Sequence, residues 1–280
     1  MGGVLGQADL PIPLLEGLPS GSRLSRIRGG RQRDIRHGQP PRSAGFSLVR
    51  SGPMSFDSMD WDQAYREKGS FDGPPPWNIG GPQPVIADLI SADAFHGDVL
   101  DAGCGFGEVS LAVAAAGLTV VGLELSETAV AWARQQAAQR ELPNATFEQA
   151  DITAFGGYDG RFSTIVDCTL FHAIPIDRRD AYLSAVHRAA APGADYYILV
   201  FAKGAYPAEM ETKPHEVDAY ELQAAVGRFF DIDFIRPAPI LAKVNRLPGF
   251  PDLELPFERD SAGLLKFPGY LVHARNTRGD

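Results

Sequence analysis

Cysteine is almost missing from this chain of 280 residues; only Cys104 and Cys168 occur. Two cysteines, one of them inside a cluster of glycines, make neither a disulfide framework nor a zinc site, which points to a packed core in a reducing compartment and to no bound metal. Long apolar runs are missing too. No stretch approaches the roughly 18 to 20 residues that a membrane helix needs, and the first residues lack a charged start followed by an apolar block. These absences predict a soluble, cytoplasmic protein with no membrane partner. Lysine and aromatic residues are scarce in residues 1–53, which hold eight Arg, no Lys, three acidic residues and one aromatic, Phe46, with 16 Gly or Pro. That balance of +5 leaves -14 for the other 227 residues, since the total is -9. So little apolar surface cannot offset ordering entropy, and residues 1–53 are expected to form a disordered basic extension. As a function, "RLSRIRGGRQRDIRHGQPPR" would suit a nucleic acid or an anionic surface, and its Arg and Ser content is similar to that of a transit peptide; as a bland reading it is an upstream extension without a role.

What is present is an alternation of strand and helix after residue 80. "DVLDAG", "LTVVGLEL", "ATFEQADI", "FSTIVDCTL" and "ADYYILVFA" read as strands. Helical spacing appears in "GEVSLAVAAAG", in "SETAVAWARQQAAQREL" with Ser126 at its cap, and near 177–190 and 215–229. Alternation of this kind predicts an α/β fold with a doubly wound, mostly parallel sheet whose ligands lie beyond the carboxyl ends of the strands. "FDIDFIR" and "FPGYLVHAR" read as two closing strands with no helix between them, making seven strands with the last antiparallel.

The densest signal is "VLDAGCGFGEV", three glycines in five positions after a strand. Glycine permits a sharp strand-to-helix turn and close approach of a ligand to the backbone. A dinucleotide is the first ligand to consider, but its G-x-G-x-x-G/A pattern fails: the sixth position is Glu108 from Gly103 and Ser110 from Gly105. Glu108 would also set a negative charge where phosphates should arrive. The motif present is D-x-G-x-G-x-G, from Asp101 through Gly103 and Gly105 to Gly107, with Glu124 at the next strand end, 23 residues after Asp101. A ligand with ribose hydroxyls, a cationic end and no phosphate suits it.

On these residues the chain resembles the class I S-adenosylmethionine-dependent methyltransferases, from about Trp61 to Lys203. The resemblance implies the Rossmann-like fold of that family and S-adenosyl-L-methionine as cofactor. It implies that Glu124 holds the ribose, with Leu125 beside it, that Asp151 meets the adenine amino group, with Ile152 beside it, and that Asp167 contacts cofactor or substrate. "APGADYYILVF" resembles the family's turn before the fifth strand, with Ala194 where a second glycine is usual. The "W-x-x-x-Y" of Trp61 to Tyr65 and "P-P-W-x-x-G-x-P-Q-P" of Pro75 to Pro84 are similar to the lid of the thiopurine-methyltransferase-like branch and of relatives that methylate heterocycles and phenols. Nucleic-acid methyltransferases share a Pro-Pro-aromatic signature, but Pro74 replaces its polar residue, so no nucleic-acid partner is expected.

Physical reasoning adds to the lid. Trp61 and Tyr65 are four apart and share a helix face, and Trp77 follows a stiff proline run, so the three make an aromatic wall. A cation over such a face gains roughly 0.5 to 2 kcal/mol. Ordinary core anchoring is the bland alternative for them. His172 is the candidate to take a proton from, or orient, a small aromatic or heterocyclic acceptor methylated on O, N or S, with Phe171, Trp61 and Tyr65 beside it; its bland reading is a structural hydrogen-bonder. Cys168 has no neighbouring cation to make it a nucleophile.

The chain divides accordingly into the 1–53 extension and a 54–280 methyltransferase domain: lid helices over 54–95, cofactor-binding core over 96–236, and an acceptor cap with the last strand over 237–280. A monomer or homodimer is expected. A nicotinamide-dependent oxidoreductase and a noncatalytic S-adenosylmethionine-binding protein stay open as other readings.

Overall fold

A computed structural model of the chain describes residues 56–66, 75–208, 210, 213–244 and 256–277. The 1–53 extension and the middle of the expected acceptor cap, 245–255, lie outside the described residues. Everything described falls in one compact unit, Arg50–Asp280.

In chain order come α1 (Trp61–Tyr65), α2 (Pro84–Ser91), β1 (Val99–Ala102), α3 (Glu108–Ala115), β2 (Val120–Glu124), α4 (Glu127–Gln139), β3 (Ala145–Gln149) and β4 (Phe162–Cys168). After these follow α5 (Arg179–Ala189), β5 (Ala190–Phe201), α6 (Ala219–Val226), β6 (Asp231–Ala242) and β7 (Leu265–Arg275). The seven strands lie in the order β3-β2-β1-β4-β5-β7-β6. All neighbours through β5 run parallel, and β7 is antiparallel to both β5 and β6. The fold is thus the α/β, doubly wound, seven-stranded sheet that the alternation predicts.

Local chemistry explains the elements. β1 and β2 are buried along their whole length, as central parallel strands covered on both faces must be. Neighbouring strand residues feed opposite cores: Leu100, Ile165, Tyr196 and Ile198 pack on one face of the sheet, Val99, Val166, Tyr197 and Leu199 on the other. Ser126 caps α4 by accepting from the Ala129 N–H at 3.2 Å. Asp218 and Glu221 close a capping box on α6. Helices α5 and α6 are shorter than their sequence spans, and β6 is longer, running on past "FDIDFIR" to Ala242. That extension contains Pro237 and Pro239, two residues apart on an edge strand, where their missing N–H groups face no partner. Ala194, expected in a turn before the fifth strand, is buried inside β5 itself, and Gly193 beside it at φ +77° falls where the pairing with β4 shifts register.

Between β1 and β4 the winding direction of the sheet reverses. The crevice at the carboxyl ends of these two strands is where a doubly wound sheet takes its ligand, and the glycine motif leaves β1 into it.

Candidate active site

The site is built on the turn from β1 to α3. Gly103, Gly105 and Gly107 have φ of +66°, +54° and +80°, a region that side chains rarely adopt. Space is as limiting as torsion. A Cβ on Gly105 would lie 2.7 Å from the Tyr65 hydroxyl, and one on Gly103 would lie 2.7 Å from Leu170 Cδ1. The loop is therefore pressed between α1 and the segment after β4.

Three buried carboxylates surround this turn. Asp101 Oδ2 accepts from the Ser110 N–H at 3.0 Å and the Ser110 hydroxyl at 2.7 Å, so the strand ties down the first turn of α3. Its Oδ1 has no partner among the described residues. Burial raises the Asp101 pKa to about 7 against the Ser110 bonds, and the charges of Asp167 and Glu124 add to the rise. Glu124 Oε2 accepts from the Gly105 N–H at 3.0 Å and Oε1 from the Ser126 N–H at 2.9 Å. Burial raises this carboxyl too, against those backbone bonds. A carboxylate has four lone-pair sites, so with the Gly105, Ser126 and Leu125 N–H groups turned to it Glu124 still has room for a further donor. Asp167 is completely buried and engaged by protein at both oxygens: Oδ1 accepts from the Leu170 and Phe171 N–H groups at 2.8 and 3.2 Å, and Oδ2 from the Tyr182 hydroxyl at 2.7 Å. Burial carries it to about 6 despite these bonds. Its side chain shapes the loop after β4 rather than facing a ligand.

The lid is anchored by a residue that spacing arguments miss. Asp62, on α1, accepts from the Ser126 hydroxyl at 2.9 Å and the Thr128 N–H at 3.0 Å, and Arg66 pairs with it at 2.8 Å. It acts as a second cap on α4. Acid residues in first turns are common, so nothing in the sequence singles it out. With α1 docked, the Trp61 and Tyr65 rings lie 6.0 and 6.2 Å from Trp77, edge to face. Phe106 from the glycine loop meets Tyr65 at 4.9 Å and Trp132 at 5.7 Å. Gln83 fixes the far end of the lid, exchanging two 2.8 Å bonds with the Leu241 backbone of β6.

Other predicted residues stand apart. Leu125 is 53% exposed just beyond Glu124, and Ile152 is buried after β3. Asp151 is at the surface; desolvation opposes its ionisation, but bonds from Arg178 (2.7 Å) and Thr153 outweigh that and hold its pKa below the usual range. Both carboxylate oxygens of Asp151 are thus already occupied. Phe171 and His172 form a 3-10 turn after β4 and are buried. His172 does not suit the role of base. Burial, with the nearby Arg179 and His215 charges, lowers its pKa to about 3, and Nδ1 already accepts from the Phe201 N–H at 3.3 Å. The ring is neutral and carries its proton on Nε2. Cys104 and Cys168 are free, with both thiols pushed up by burial. Among the described residues no cluster of three or more His, Cys, Asp or Glu could hold a metal, and no helix is long and apolar enough to cross a membrane.

These residues fit S-adenosylmethionine. Glu124 offers its remaining acceptor capacity to ribose hydroxyls, Leu125 an apolar surface for a base, and the buried carboxylates a negative field for a cation. Glu108 at the start of α3 disfavours a pyrophosphate instead.

Comparison with known proteins agrees. Residues 99–193 match the family model described as a methyltransferase domain. The chain is 45% identical over 204 residues to the 2-heptyl-1-hydroxyquinolin-4(1H)-one methyltransferase of Mycobacteroides abscessus, covering 71% of this chain and 88% of that protein. A solved structure described as "Conversion of a Disulfide Bond into a Thioacetal Group during Echinomycin Biosynthesis" superposes with a TM-score of 0.66 at 32% identity, over 79% of this chain and 92% of that one. The 1,6-didemethyltoxoflavin-N1-methyltransferase of Burkholderia thailandensis, with S-adenosylhomocysteine bound, shares the fold with a TM-score of 0.53 at 20% identity, over 70% and 77% of the two chains. Glycine turn, buried carboxylate at the next strand end, sheet order and relatives converge: the chain belongs to the class I S-adenosylmethionine-dependent methyltransferases that act on small molecules.

Proposed function

We propose that the chain methylates a ring-bound oxygen of a hydroxylated heteroaromatic compound, with residues 54–280 as the methyltransferase domain and α1, α2 and their connection as its lid. The observation that carries the cofactor half is Glu124, buried at the end of β2 with acceptor capacity left beyond its backbone bonds. The substrate half is supported by the Mycobacteroides relative, whose name gives an N-hydroxyquinolone as its acceptor.

S-adenosylmethionine supplies a methyl group on a positively charged sulfur. The protein's residues have three tasks around it. Glu124 grips the ribose, and the Gly103, Gly105 and Gly107 backbone follows the sugar and amino-acid portions. Asp101, through its free Oδ1, would hold the ligand's ammonium group, and Leu125 and Ile152 would lie against the base. Tyr65, Trp77 and Trp61 cover the sulfonium and exclude water, where an aromatic face stabilises a cation. Asp151 is assigned a weaker place beside the base, since Arg178 and Thr153 compete for it. Asp167 is assigned to positioning: its bonds to the Leu170 and Phe171 N–H groups set the turn that carries His172.

His172 is proposed to orient the acceptor through its Nε2–H. Alignment alone is worth effective molarities of roughly 10⁵ to 10⁸ M, against roughly 10² to 10⁴ for a general base, so a site without a base is no obstacle to methyl transfer. We further infer a cytoplasmic enzyme acting on small molecules and not nucleic acid, as a monomer or homodimer; the support is the acidic balance of the domain and the lid motif. The test is formation of S-adenosylhomocysteine with a panel of N-hydroxyquinolones, phenols, thiols and nitrogen heterocycles. Turnover concentrated on hydroxylated rings is expected, and turnover confined to thiols or amines would overturn the acceptor assignment.

A further inference from the structure

Arg179 occupies an unfavourable place for a cation. It opens α5, where the helix dipole repels positive charge, and it is only partly exposed. Its Nε is sealed from solvent with no hydrogen-bond partner, and its Nη2 donates only to the His215 carbonyl, at 3.1 Å. Its guanidinium carbon lies 4.5 Å over the Phe171 ring. No carboxylate among the described residues comes within ion-pair distance of it, whereas the arginines on either side of it in sequence and space, Arg178 and Arg228, pair with Asp151 and Asp180. Burial lowers its pKa, and the more distant charges of Glu221, Asp167 and Asp57 oppose the shift. A buried guanidinium N–H without an acceptor is costly and therefore needs an explanation.

One more donor stands near Arg179. The His215 backbone joins it to His172: the His215 carbonyl accepts from Arg179, and the His215 N–H donates to the His172 carbonyl at 2.9 Å. His172 itself is a neutral ring with its Nε2–H available. The His215 ring is turned away onto Asp57 of the lid, and Asp167 is spent on Leu170, Phe171 and Tyr182. Glu221 sits on α6 and pairs with Lys203 at 3.0 Å. What remains beside Phe171 is one cation, Arg179, and one N–H, that of His172, joined through the His215 backbone on the segments that follow β4 and β5.

We propose that Arg179 and His172 form a receptor for an anionic acceptor oxygen, so that the enzyme selects the deprotonated form of an acidic hydroxyl compound from solution instead of deprotonating it. The inference rests on the methyltransferase reading and narrows its acceptor to acids whose conjugate bases exist near neutral pH. The chemistry balances without a base. A lone pair of the bound oxygen anion forms the bond to the methyl carbon, the carbon–sulfur pair returns to sulfur, and negative and positive charges cancel. The methylated product has lost the charge that Arg179 recognises, which favours its release.

The experiment uses the full chain saturated with S-adenosylhomocysteine and 4-nitrophenol as probe, titrated over pH while the phenolate absorbance is read. Bound nitrophenol is expected to titrate about one pH unit lower than free nitrophenol, which corresponds to roughly tenfold tighter binding of the anion. Arg179→Gln should abolish the shift and Arg179→Lys should keep most of it, with S-adenosylhomocysteine affinity unchanged in both. Equal affinity of the two forms in the wild type, a shift that survives Arg179→Gln, or no nitrophenol binding to the loaded protein would each overturn the proposal. The wild-type titration decides even if a variant fails to fold. Absence of S-adenosylhomocysteine binding would instead remove the cofactor reading beneath it.

Discussion

Replacing Glu124 by glutamine tests the ribose site and its geometry together. In the wild type each carboxylate oxygen receives one backbone N–H, from Gly105 and from Ser126. An amide can accept at one position only, so whichever way the new side chain turns, its NH₂ group faces one of those N–H groups. A buried donor left without an acceptor costs about 1 to 3 kcal/mol, and at this size roughly 2 to 4 °C of Tm is lost per kcal/mol. Ligand binding suffers separately. A bond to a charged acceptor contributes about 1.5 to 3 kcal/mol and a neutral one about 0.5 to 1.5, and the amide can accept from only one of the two hydroxyls. One charged bond lost and the other weakened by about 1 to 1.5 kcal/mol sum to about 2.5 to 4.5 kcal/mol, a loss of roughly 60- to 1,600-fold in S-adenosylhomocysteine affinity. Calorimetric titration measures the affinity, and a thermal melt the stability. Glu124→Ala should weaken binding comparably, by more than about 1 kcal/mol, but leave room for water to meet the two N–H groups. Affinity within threefold of wild type for the glutamine variant, with an unchanged melt, would refute the reasoning.

Three further outcomes are expected. Gly105→Ala places a methyl group 2.7 Å from the Tyr65 hydroxyl at a φ of +54°, so affinity for S-adenosylhomocysteine should fall; adding Tyr65→Phe should recover part of it, and strictly additive effects would show that the two positions do not touch. Asp62→Ala removes a cap on α4 along with the lid's anchor, and should cost about 1 to 2 kcal/mol in a urea melt while raising the KM for S-adenosylmethionine severalfold. Asp101, with its folded pKa raised to about 7, holds a proton that the unfolded chain releases near pH 4, so its own contribution to stability is greatest below that and falls as pH rises toward 7, by up to about 1.4 kcal/mol per unit. Asp101→Asn keeps both Ser110 bonds on its carbonyl oxygen and should flatten that slope, leaving the share of Asp167, which titrates at about 6. An unchanged slope in urea midpoints between about pH 5 and 7 would contradict this.

Some features are legible in the sequence because a single physical rule controls them. Strand alternation, the positive-φ glycines and the Ser126 cap each follow from backbone geometry, and the structure has them where the residues stand. β6 is harder to read. Pro237 and Pro239 look like a strand stop in one dimension, and only the edge position, set by β7 inserting between β5 and β6, makes them harmless. Side-chain roles are less legible still. Asp101, Glu124 and Asp167 look alike as acids at strand ends, yet one ties down a helix, one brackets the glycine turn and one is engaged by a loop and Tyr182. Those differences are made by partners 9, 19 and 15 residues away. His172 invites a catalytic reading beside "LF", but its chemistry is decided by burial and by the Phe201 N–H, which no local pattern announces. Arg179 and Asp62 matter through their surroundings and have no motif at all.

The most direct measurement is titration of the purified full chain with S-adenosylhomocysteine and, separately, with NADH. The account predicts saturable one-site binding of the first, weakened by Glu124→Gln, and none of the second. Binding of NADH in preference, or no heat with either form of the methyl donor, would contradict it.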